Sequence, residues 1–237
     1  MFTVESVTAG YGDSVVLRDV TVAVPPRSVV AVVGANGAGK TTLLRVASGL
    51  LRPSRGRLLL DGEDVTGSGP DGLAAAGICH VPEGQAVFPE LTVRENLRLF
   101  SPPGREGEGI ERAVAAFPPL RARLSQTAST MSGGEQQMLA LTRAAISGAR
   151  VILLDEVSMG LAPVVVDRIY EFLDRVRQGD ASVVLVEQYV GRALAIADYV
   201  YVIGRGRVTF AGDPAELADD DLFNRYLGLG LESEALA

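Results

Sequence analysis

Between residues 34 and 41 the chain reads Gly34-Ala35-Asn36-Gly37-Ala38-Gly39-Lys40-Thr41. Glycines at this spacing let a backbone turn tightly, so that successive N–H groups face one concavity. The ammonium that follows can reach the β- and γ-phosphates of a nucleoside triphosphate, and the hydroxyl can ligate Mg2+. Lys40 is the only lysine among 22 basic residues. A second group, Asp155-Glu156, ends an apolar run. One carboxylate ending a strand beside that of the glycine loop could hold Mg2+, and the next could orient and deprotonate an attacking water. In isolation the pair reads equally well as a solvated acidic turn. A third group, Ser132-Gly133-Gly134-Glu135, opens a helix whose positions Met138, Leu139, Leu141, Thr142 and Ala145 form an apolar stripe. Such a helix end can face another phosphate. Two glycine-rich ends with one lysine-bearing loop suggest a site shared by two chains, closed face to face on the nucleotide.

These groups need elements to hold them. Val29–Val33, Val151–Leu154 and Val183–Val186 are wholly apolar and rich in β-branched residues, as expected of strands covered on both faces. Helical patterns follow at Lys40–Ser48, Val164–Arg177 and Gly191–Ala197. The alternation predicts an α/β fold with a mostly parallel sheet flanked by helices. Phe2–Val7, Val15–Leu17 and Thr21–Val24 read as short, turn-separated antiparallel strands packed beside it. Residues 85–130 carry no strand signal. Thr92 and Glu95 form a capping pattern ahead of a helix to Phe100, Pro102-Pro103-Gly104 breaks the chain, and Gly109–Phe117 is again helical. The expected organisation is a single domain over 1–237. Its α/β core spans 1–84 and 131–228, the helical insertion 85–130 and the tail 229–237.

The 237 residues, 47% of them hydrophobic and 22% charged, suffice for a buried core. No run of eighteen apolar residues occurs, so no membrane span is expected, and Met1–Glu5 lacks the features of a secretion signal. One cysteine, Cys79, cannot make an internal disulfide, which fits a reducing cytosol. A net charge of −7 argues against a nucleic-acid footprint, which needs clustered cations. The single histidine, His80, excludes a multi-histidine metal site and reads as a packed strand residue. With its one lysine in the glycine loop, the chain has no [NT]-K-x-D motif, which argues against a guanine-specific switch. Asp219-Asp220-Asp221 reads as a cap on a final helix rather than a metal site.

Taken in order, these motifs resemble the P-loop ATPases of the ATP-binding cassette (ABC) family, over nearly the whole chain. Gly34–Thr41 is similar to its Walker A loop, Met131–Glu135 to its signature motif and Val151–Glu156 to its Walker B strand. The resemblance implies that ATP is held by Asn36, Gly37, Ala38, Gly39, Lys40, Thr41 and Thr42, and by Ser132, Gly133, Gly134 and Glu135 of a second cassette. It implies Mg2+ ligation by Thr41, Asp155 and Glu83, water activation by Glu156, and adenine stacking by Tyr11, which on composition alone reads as a turn or core aromatic. Where the family usually has glutamine in the loop to the helical region, this chain has Glu83, with Gln85 two residues on. Where the family has its switch histidine, this chain has Gln188, which can hydrogen-bond a phosphate or water but does not titrate near neutral pH. Val157, Ala162 and Tyr189 are further departures.

Val81-Pro82-Glu83-Gly84, Val87-Phe88-Pro89, Glu135-Gln136-Gln137-Met138, Gly160-Leu161-Ala162-Pro163 and Val186-Glu187-Gln188 resemble the Liv-type ATPases of bacterial branched-chain amino acid importers. Related urea and amide importers share much of the pattern, and a non-transport cassette is the alternative from another class. The importer resemblance implies two membrane permeases, docked near residues 83–95, and a second cassette. It also implies a periplasmic solute-binding protein, acting indirectly, and a cytoplasmic location at the inner face of the membrane.

Overall fold

The computed structural model describes residues 1–84, 86–187 and 190–217. The strands are β1 (Phe2–Tyr11), β2 (Ser14–Val24), β3 (Val29–Val33), β4 (Arg55–Leu60), β5 (Glu63–Asp64) and β6 (Ile78–Val81). They continue as β7 (Val151–Asp155), β8 (Ser182–Val186), β9 (Tyr199–Gly204) and β10 (Arg207–Gly212). The helices are α1 (Lys40–Ala47), α2 (Gly69–Ala75), α3 (Val93–Phe100), α4 (Glu106–Ala116), α5 (Gly133–Ser147), α6 (Pro163–Arg177) and α7 (Val190–Ile196).

Strands β3, β7 and β8 are buried at every position. They lie in a six-stranded sheet of order β10-β9-β3-β8-β7-β6. Every pairing is parallel except β9 with β10. Side chains alternate along β3: Val29, Ala31 and Val33 join one apolar cluster, and Val30 and Val32 join another on the opposite face. This two-residue period explains why the run has no polar member. The first cluster also takes in Val93 and Leu97 of α3, Ile110 and Val114 of α4, and Leu139 of α5. The second packs the sheet against α1 and a four-stranded antiparallel sheet, β2-β1-β4-β5.

Two expectations need correction. The N-terminal strands are not short pieces: β1 and β2 run ten and eleven residues as one hairpin. Register shifts along β1, and positive φ at Ser6 (48°) and Asp19 (54°), mark bulges that bend the strands without ending them. The strand ending in Asp155 is also not beside β3, because β8 lies between them. Register nevertheless brings their ends level, with Val32 and Asp155 both paired to Val186. Loops after β3, β7 and β8 therefore leave one edge of the sheet together, where open α/β sheets form their crevices.

Candidate functional site: a phosphate cleft at the sheet edge

The loop after β3 is held by close backbone approaches. A Cβ at Gly34 would lie 2.3 Å from the Ile203 carbonyl oxygen. Gly39 has φ +111°, and a Cβ there would meet Leu17 Cδ2 at 2.8 Å. Lys40 opens α1 and is 5% exposed. Its Nζ donates to Gly34 O (2.9 Å) and Ala35 O (3.2 Å), which curls the loop around the ammonium. No side chain caps α1, and its first turn carries no acidic residue. Its positive end is therefore left for an anion.

Asp155 ends β7. It is 1% exposed, and its Oδ1 accepts from Thr41 Oγ1 at 3.4 Å. Its buried Oδ2 has no hydrogen-bond partner. Burial pushes the carboxyl up to about 6; the Thr41 bond and Lys40 oppose this, while the charges of Glu156 and Glu83 add to it. A buried carboxylate with one oxygen orphaned, beside a hydroxyl, is a hard-oxygen donor set that fits Mg2+. Glu156 Oε1 lies 3.9 Å from Lys40 Nζ. Lys40, Thr41 and Glu156 border a cavity of ≈ 500 Å³; Asp155, bonded to Thr41, is not part of its lining. Asn36, Gly37, Gly39, Lys40, Thr41 and Thr42 form one wall, and Val16, Glu83, Glu156 and Met159 the others. Ala38 is 5% exposed and is pinned by bonds to Ala35 and Gly206.

Other candidate residues stand apart from this cleft. Ser132 caps α5 and forms a reciprocal capping box with Glu135, which is ion-paired to Arg123 at 2.5 Å. None of Ser132, Gly133, Gly134 and Glu135 lines the cavity. Tyr11 is 44% exposed at the end of β1, where its hydroxyl accepts from Arg45 Nη1 at 3.0 Å; it too is outside the lining. Gln188, Gln85, Tyr189 and Asp219-Asp220-Asp221 fall outside the described residues. Burial, with the charges of Arg143 and Arg45, lowers His80 to about 4, so the imidazole is neutral at ordinary pH.

Residues 17–159 match the family model for the ABC transporter. The chain belongs to the ABC transporter family. It is 38% identical over 232 residues to the high-affinity branched-chain amino acid transport ATP-binding protein BraG of Pseudomonas aeruginosa, covering 96% of this chain and all of the relative. The probable branched-chain amino acid transport ATP-binding protein LivF of Archaeoglobus fulgidus is also 38% identical, with 95% and 97% covered. Among solved structures, a nucleotide-free ATP-binding cassette from an ABC transporter superposes with a TM-score of 0.83 at 23% identity, covering 95% of this chain and 98% of its own. The protein is thus an ATP-binding cassette ATPase that binds nucleotide. No helix among the described residues is long and apolar enough to cross a membrane.

One polar group of the cassette had no role in the sequence reading. Glu187, following β8, is fully buried and accepts a hydrogen bond from the Ser158 N–H at 3.1 Å. Apart from its place in the Val186-Glu187-Gln188 pattern, its signal in the sequence is a carboxylate directly after an apolar strand.

Proposed function

We propose that this cassette powers an importer of branched-chain amino acids, hydrolysing ATP as one half of a cassette pair. The observation that carries the cargo is 38% identity, over essentially the full length of both chains, to two proteins named for that transport. In this reading Lys40 and the loop amides grip the triphosphate, and the ammonium exchanges its two loop carbonyls for phosphate oxygens. Thr41 and Asp155 would hold Mg2+, with Glu83 facing the same cleft; the ion, when bound, neutralises phosphate charge. Glu156 takes the proton of the attacking water, and Gln188 hydrogen-bonds the γ-phosphate or that water. Tyr11 stacks on adenine. The α5 end, Ser132-Gly133-Gly134 with Glu135, faces the nucleotide of the opposite cassette, which accounts for its absence from this chain's own cleft.

The helical residues 85–130 would meet the permeases near 83–95, where Phe88 is 46% exposed. The assembly would sit at the inner face of the cell membrane and act with a periplasmic solute-binding protein. Nucleic acid is not a partner in this reading.

The test is uptake by the cassette co-expressed with its permeases and binding protein in sealed vesicles. ATP-dependent uptake of leucine, isoleucine and valine is expected. Uptake of urea or an amide instead would overturn the cargo. Glu156→Gln should keep ATP binding while hydrolysis falls about 100-fold or more; near-parental turnover would remove Glu156 as the base.

A further inference from the structure

The end of β8 makes two bonds to the turn that carries Glu156. Val186 O accepts from the Glu156 N–H at 2.9 Å. Glu187 Oε1 accepts from the Ser158 N–H at 3.1 Å. Two successive residues of one strand end thus hold two N–H groups, one at each end of Glu156-Val157-Ser158.

The bracketed turn is strained. Glu156 has φ +47°, in the left-handed region that side-chain-bearing residues visit uncommonly. Such a conformation persists where the surroundings over-determine it. Here they do: Val157 is 1% exposed, Ser158 is fully buried, and both flanking amides are bonded. From this turn the Glu156 carboxylate and Met159 both reach the phosphate cavity. Glu187 is itself fully buried, a placement that is costly for a carboxylate unless its oxygens are engaged. Tyr170 of α6 is close by; burial, with the charge of Glu187 adding to it, holds its phenol above the ordinary range. An apolar residue would fill the same space without that cost but could not accept the Ser158 N–H.

We propose that Glu187 is a positioning residue for hydrolysis: through the Ser158 N–H it holds the left-handed turn that aims Glu156 into the phosphate cleft. The inference rests on Glu156 acting in hydrolysis, which the Glu156→Gln comparison tests separately.

Because the position of the acceptor oxygen matters here rather than the charge, three full-length variants should rank in a set order. Glu187→Gln keeps an oxygen at the same reach and should keep most of the turnover. Glu187→Asp draws the oxygen back by one methylene and should lose part of it. Glu187→Ala removes the acceptor and should lower kcat about 10- to 100-fold with the KM for ATP little changed. ATP binding and thermal melts are measured alongside, with assays run well below each melting temperature. Leu173→Ala, a cavity variant at a 1% exposed residue of α6, serves as control and should melt earlier with kcat unchanged. If Glu187→Ala does not fold, the Gln and Asp variants decide the question. Parental kcat in Asp or Ala, Gln falling as far as Asp, or a loss confined to KM would each overturn the proposal.

Discussion

Replacing Asp155 with asparagine should stabilise the nucleotide-free protein at neutral pH. The carboxyl titrates at about 6 in the folded chain against a reference of 3.8, because burial penalises its charge. A gap of about two units is about 3 kcal/mol. The raised folded value means that the protonated form is the favoured one in the fold. Its contribution is fully present below the unfolded value of 3.8 and is lost as pH rises through about 6. At pH 7 and above, the charged carboxylate therefore costs about 3 kcal/mol, a sizeable part of a typical domain's stability. Asparagine carries no charge at any of these pH values, and its Oδ1 can still accept from Thr41. Urea unfolding of parent and Asp155→Asn, with a chelator and no nucleotide, should show a gap of about 3 kcal/mol near neutrality that closes towards pH 4. Taking the difference between the two curves cancels carboxylates such as Asp61, which is held low by the N-terminal ammonium and Arg150. A difference that does not vary with pH, or a variant less stable than the parent at neutral pH, would refute the account of Asp155.

Two further outcomes follow from the loop and the exposed aromatic. Gly34→Ala puts a methyl 2.3 Å from a backbone oxygen of β9, so the loop must shift. It should lower stability by about 1–3 kcal/mol and abolish measurable ATP binding, read by thermal melts and calorimetry. Tyr11→Ala should weaken ATP about 2- to 10-fold if the ring stacks on the base, whereas unchanged affinity for both ATP and GTP would exclude stacking.

The parallel sheet and its phosphate loop were legible because their signals are local. An unbroken apolar run marks a strand covered on both faces, and Gly34–Thr41 is a complete chemical unit in eight residues. The α3 cap was equally plain, since Thr92 and Glu95 bond reciprocally within one turn. Bulged strands were harder. Ser6 and Asp19 look like turn residues, but the positive φ they adopt bends β1 and β2 rather than ending them. Strands β4 and β9 find partners far along the chain, β4 with β1 some fifty residues earlier and β9 with β3 across most of the chain, whereas β9–β10 is a local hairpin that the sequence reading passed over. The spatial order of β3, β8 and β7 cannot be read from spacing at all. Glu187 was read only within the Val186-Glu187-Gln188 pattern and given no role, because the Ser158 N–H that it accepts from is backbone and leaves no trace in residue type.

The placement of Lys40 makes the protein unusually simple to label. It has a single ε-amino group, which is 5% exposed and bonded to two carbonyls of the phosphate loop. Reductive methylation of intact protein can therefore modify only that nitrogen and the α-amine, and the two are separable by peptide mass. Occupancy of the cleft can then be followed as a change in the reactivity of one atom, with no introduced residue.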